Sequence, residues 1–77
     1  MTDYEDAIVR IYREALDIEV GGLDVDVFEE GLLDSLGLVM LVSEIEERFG
    51  LRIPFETLEI DEFRTVRSLA RIVEAQV

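Results

Sequence analysis

The chain contains neither cysteine nor histidine. Without cysteine there is no disulfide framework and no thiolate metal site. Without histidine the usual general base and the commonest metal ligand are both missing. Proline occurs once, at Pro54, so rigid proline-rich linkers are excluded as well. No apolar run approaches the roughly 20 residues that a membrane-spanning helix needs. The N-terminus lacks the basic-then-apolar pattern of a secretion signal. No membrane span and a cytoplasmic location are therefore expected. With 77 residues, a single domain over 1–77 with one small core is the expected organisation.

What is present is acid. Nineteen acidic residues face seven basic ones, all of them arginine, for a net charge of −12. Such a charge argues against nucleic acid, whose phosphates would repel it. It favours partners with basic docking surfaces, because complementary fields speed and orient encounter. The hydrophobic content of 49% is that of a folded chain and not of a disordered acidic tail.

Hydrophobic spacing predicts an all-α fold. Thr2 and Glu5 fit a capping box, and Tyr4, Ile8, Ile11, Ala15 and Ile18 follow at helical spacing, giving a first helix over Asp3–Asp17. The glycine pair Gly21-Gly22 is read as its stop. A long loop from Val20 to Leu33 follows, with Phe28 expected to plug the core. Leu38, Leu41, Val42, Ile45 and Phe49 form the buried stripe of a second helix over Ser35–Phe49, closed by Gly50. Leu51-Arg52-Ile53-Pro54 reads as an extended linker, since the residue before proline avoids the helical region. A short helix is placed within Phe55–Glu62. Thr65 caps a last helix carrying Val66, Leu69, Ala70 and Val73. The sum is a small bundle of three longer helices and one short one, with a long loop between the first two.

The chain turns on Phe28-Glu29-Glu30-Gly31-Leu32-Leu33-Asp34-Ser35-Leu36-Gly37. Asp34 reads as the N-cap of the second helix, which leaves the Ser35 hydroxyl in the first turn, at the rim of the fold. A serine so placed suits modification by another enzyme. It does not suit self-activated attack. Leu33-Asp34-Ser35-Leu36-Gly37 only partly overlaps the nucleophile elbow, because Leu33 replaces the first glycine and no histidine exists to activate the serine. Asp24, Asp26, Glu29 and Glu30 do not make a calcium loop: Phe28 stands at the third ligand position and Glu29 where glycine is needed. No metal site is expected. Glu46 and Glu47 read as a solvated helix face.

From Val27 to Val73 the chain resembles the acyl carrier protein family, on the Asp34-Ser35-Leu36 motif, the leucines around it and the helices flanking it. The resemblance implies that Ser35 receives a covalent 4'-phosphopantetheine arm from a phosphopantetheinyl transferase. It further implies that the arm holds an acyl or aminoacyl group as a thioester, and that the chain itself is not an enzyme. Carriers of primary fatty-acid synthesis have an acidic residue directly after the motif and another three residues later. Gly37 and Met40 occupy those positions here. Gly37, with Ile53-Pro54 and Ile60-Asp61-Glu62-Phe63 before Thr65, resembles instead the D-alanyl carriers of teichoic-acid modification and stand-alone aminoacyl or acyl carriers of specialised biosynthesis.

Val39 and Met40 follow Ser35 on the second helix but lie off its buried stripe. With Leu36, Gly37, Ser43, Glu44 and Glu47 they make the candidate face for partners, namely the transferase and adenylating or acyl-transferring enzymes with basic docking surfaces. A monomer is expected. The competing reading is an unmodified acidic helical module that binds a basic protein. Such a module has no use for an exposed hydroxyl beside Asp34.

Overall fold

The computed structural model describes residues 3–54 and 57–76. The expected Thr2 cap, and the expected start of the short helix at Phe55 and Glu56, lie outside these residues. Three α-helices are present: α1 (Asp3–Leu16), α2 (Ser35–Phe49) and α3 (Val66–Gln76). A short 3-10 helix, Ile60–Phe63, precedes α3. No strand occurs among the described residues, and none of the helices is long and apolar enough to cross a membrane. The α1 helix packs against both α2 and α3, and the 3-10 helix packs on α3.

The ends of these helices follow local chemistry. At α2, Gly50 takes the left-handed conformation (φ 66°), and its amide and that of Leu51 both donate to the Glu46 carbonyl, at 2.9 and 3.2 Å. These bonds satisfy a carbonyl that the helix end would otherwise orphan. At α3, the Thr65 hydroxyl accepts the Ser68 amide at 3.1 Å, as its reading as a cap requires. At α1 the expected stop is corrected. The helix ends at Leu16, and the reversal is made by Asp17, with φ 56°, while the Ile18 amide donates to the Tyr12 carbonyl at 2.9 Å. Aspartate is among the few residues that tolerate this region, so the chain turns before it reaches Gly21-Gly22. The short helix lies later than expected. A turn closes first, the Thr57 amide donating to the Pro54 carbonyl. Glu62 then accepts the Glu59 amide at 2.9 Å, starting the 3-10 helix just before Phe63, which is buried.

Ile8, Ile11 and Tyr12 of α1, Leu38, Leu41, Val42 and Ile45 of α2, Phe63, and Val66, Leu69, Ala70, Ile72 and Val73 of α3 form one core. Phe49 is only half-buried and packs on Tyr4, with ring centroids 5.8 Å apart. Full burial of a leucine or isoleucine such as Leu41 or Ile45 contributes about 1.5–3 kcal/mol. The loop between α1 and α2 supplies two more core residues, Val27 and Leu33. Phe28 is not the plug. It is half-buried, with the Arg64 guanidinium 5.8 Å above its ring. The turn that starts at Val27 explains the exchange. Val27 points inward and its carbonyl accepts the amides of Leu32 and Leu33, at 2.9 and 3.1 Å, which leaves Phe28 at the rim.

Tyr12 is fully buried, and its hydroxyl has no hydrogen-bond partner among the described residues. Burial pushes its phenol well above the usual range. An unsatisfied buried hydroxyl is costly, so Tyr12→Phe is expected to raise stability by about 1 kcal/mol. The phenol stays neutral in the folded chain and ionises more readily in the unfolded one. Wild-type stability should therefore fall as pH rises above about 10, and the variant should lose that contribution to the decline. Urea melts of both proteins at neutral and alkaline pH check this. A variant less stable than wild type at neutral pH would refute it.

Candidate functional site

Asp34 has the extended backbone of an N-cap (φ −110°, ψ −176°). Its Oδ1 accepts the Gly37 amide at 2.7 Å, and its carbonyl accepts the first intrahelical bond, from Leu38, at 2.9 Å. Ser35 is thus the first residue of α2, and it is exposed. Its hydroxyl makes no hydrogen bond among the described residues, so it stands open to solvent at the positive end of the helix dipole.

Packing from below holds this geometry. A Cβ on Gly37 would lie 2.8 Å from Leu33 Cδ1 and 3.2 Å from Asp34 Oδ1. The bare α-carbon is what lets buried Leu33 and the capping carboxylate close onto the first turn together. An acidic residue at this position would have to displace one or both. Gly37 was selected from the sequence for the motif it follows. The contact with Leu33 carries no sequence signal.

Successive side chains on α2 are turned by roughly 100°, which spreads the candidate face into a ridge with two flanks. Leu36 is 70% exposed at the crest, and Val39 and Met40 are 54% and 48% exposed. Ser43 and Glu47 are exposed on the same outer side. Val39 lines one flank, a cleft of about 530 Å³ shared with Ser43, Glu46, Arg52, Ile53 and Pro54. Met40 lines the other, a cleft of about 280 Å³ with Asp34, Gly37, Leu33 and the end of α1 at Leu16. Glu44 stands apart from the ridge. It is half-buried, 3.3 Å from Arg48, which also reaches Glu14 of α1 at 2.9 Å. Sequence reasoning did not single out Leu32, which at 36% exposure extends the apolar ridge before Ser35.

Two acidic residues prove to be structural. Glu46 accepts the Ile53 amide at 2.8 Å and so ties the linker to α2, where the spacing had suggested only a solvated face. Asp26 accepts the Phe28 and Glu29 amides at 3.1 and 3.0 Å and pairs with Arg64 at 3.1 Å. The Glu29 amide first, and Arg64 after it, hold its carboxyl below the usual range. Asp24 is lowered likewise, chiefly by its hydrogen bond from Arg67 at 2.8 Å. The acidic loop thus spends these carboxylates on arginines, and no group of three potential metal ligands forms among the described residues.

An exposed serine thus opens α2 at a capped helix start of a small helical bundle. The model of the phosphopantetheine attachment site matches residues 6–73. The chain belongs to that family. Its relatives include the D-alanyl carrier protein of Bacillus velezensis, 46% identical over 60% of this chain and 59% of that one. The D-alanyl carrier protein of Enterococcus faecalis is 39% identical over 73% and 72%. That of Streptococcus pyogenes is 31% identical over 91% and 90%. The chain is a carrier protein for covalently attached 4'-phosphopantetheine. The residues present fit such a group. A primary hydroxyl stands free next to the cleft lined by Asp34, Gly37 and Met40, and a helix N-terminus is a favourable end for a phosphate.

Proposed function

We propose that this carrier is a D-alanyl carrier, and that Ser35 is the residue to which its arm is joined. The observation that supports the attachment point is the free Ser35 hydroxyl on the Asp34-capped first turn. In the transfer, Ser35 Oγ attacks the phosphorus that bears the pantetheine moiety of coenzyme A. A new phosphodiester bond forms, the pyrophosphate bond breaks, and adenosine 3',5'-bisphosphate leaves. The serine proton passes to a base of the phosphopantetheinyl transferase, since this chain has no histidine to take it. The attached group supplies the thiol that holds the cargo as a thioester. Apart from the Ser35 nucleophile, the chain's own residues supply position and recognition. Asp34 holds the first turn and marks the site for the transferase. Leu36, Val39 and Met40, with Gly37, Ser43 and Glu47 around them, meet the transferase and the adenylating and acyl-transferring partners. Tethering raises the cargo's effective concentration at each of them.

The D-alanyl cargo is supported by the names of three relatives. Gly37 is in keeping with it, since it stands where fatty-acid carriers place an acidic residue and Leu33 packs close beneath it. Incubation with coenzyme A, magnesium and a broad-specificity transferase should add one phosphopantetheine mass, and Ser35→Ala should abolish the addition. The modified protein should then take D-alanine from a D-alanine-adenylating enzyme, and malonyl groups poorly. Folded wild-type protein left unmodified by several transferases would overturn the attachment site. Equal loading with malonyl groups would overturn the cargo.

A further inference from the structure

Arg64 sits at the junction of the 3-10 helix and α3, far in sequence from Ser35, and touches the loop in several ways. Its Nη1 reaches both carboxylate oxygens of Asp26, at 3.3 and 3.1 Å. Its Nε donates to Asp61 at 2.6 Å. The guanidinium also covers the Phe28 ring at 5.8 Å, and the Arg64 carbonyl accepts the Val27 amide at 2.9 Å. From there the contacts run straight to the serine. The Val27 carbonyl holds the amides of Leu32 and Leu33. Leu33 packs under the bare α-carbon of Gly37, whose amide is held by Asp34, the residue before Ser35. Val27 and Leu33 anchor the two ends of this turn in the core, while Glu29, Glu30, Gly31 and Leu32 between them are exposed.

We infer that Arg64 is a positioning residue for the modification of Ser35, acting through the docked turn Asp26–Leu33 and the Leu33–Gly37 contact. Arginine suits this role because its planar fork grips two carboxylates at once while its face stacks on a ring. When the turn is undocked, Leu33 loses its seat and the first turn of α2 loses its support. Only the docked fraction of molecules then presents Ser35 correctly. Apparent affinity for the transferase falls in proportion to that fraction, while turnover of the bound complex is unchanged.

This inference rests on Ser35 being the attachment point, and the test separates the two. Phosphopantetheinylation of the full chain is measured for wild type, Arg64→Gln, Arg64→Lys, Asp26→Asn and, as a control for lost charge, Arg10→Gln on the exposed side of α1. Amide hydrogen exchange is followed at Val27, Leu32 and Leu33. Arg64→Gln is expected to raise KM about threefold or more with kcat retained, and to speed exchange at those three amides. Arg64→Lys keeps the charge but not the fork and should fall between it and wild type. Asp26→Asn still accepts the Phe28 and Glu29 amides through its carbonyl and should show a smaller rise. Arg10→Gln should match wild type. An unchanged KM in Arg64→Gln and Asp26→Asn overturns the inference. So does a rise that Arg10→Gln shares, or a rise without faster exchange. A wild-type protein that is not modified at Ser35 overturns the attachment site instead.

Discussion

Val42→Glu is expected to unfold the protein. Val42 is 5% exposed and sits among Leu38, Leu41 and Ile45 on the inner side of α2. A carboxylate there loses most of its hydration, at a cost of several kcal/mol. The valine's own burial contribution of about 1.5 kcal/mol or more is lost with it. Domains of this size are stable by only about 5–15 kcal/mol, and a net charge of −12 already opposes compactness. The variant should show a largely unstructured circular dichroism spectrum at room temperature and no cooperative melt. A folded Val42→Glu with a melting temperature near wild type would show that α2 is rotated from the orientation described here.

Met40→Glu, two residues away, should behave in the opposite way. Met40 is 48% exposed and lines an open cleft, so the glutamate reaches water and stability should fall by no more than about 1 kcal/mol. The effect should appear instead on loading. If the apolar ridge of Leu36, Val39 and Met40 is buried against a partner, the substitution puts an unpaired charge into that interface. Transfer of D-alanine from the cognate adenylating enzyme should slow by roughly tenfold or more, corresponding to about 1.4 kcal/mol. The variant must be modified on Ser35 beforehand, so that the loading step is measured alone. Wild-type loading by a folded Met40→Glu would move recognition off this ridge, toward the acidic loop before Asp34 or the exposed Ile60.

The limits of α2, its buried stripe apart from Phe49 and its caps at Asp34 and Gly50 were legible from the sequence alone, because each rests on contacts within a few residues. A helix period, a carboxylate three residues from the amide it accepts, and a glycine free to turn left-handed are all local. So is the pairing of Asp34 with an accessible Ser35, which made the candidate site readable before any packing was known. The stop of α1 at Asp17 and the onset of the 3-10 helix at Ile60 were misplaced, since aspartate and isoleucine carry weaker local signals than Gly21-Gly22 or Pro54. What only the tertiary structure decided lies between residues distant in the chain. Loop periodicity could not say whether Val27 or Phe28 points inward; the turn that binds Leu32 and Leu33 decided it. The charges of Asp26, Glu46 and Arg64 were visible, but not that one pins the loop, one ties down Ile53 and one joins the loop to α3. Those roles depend on which backbone amides and side chains the fold brings within hydrogen-bond reach, and local spacing along the chain does not encode that distance.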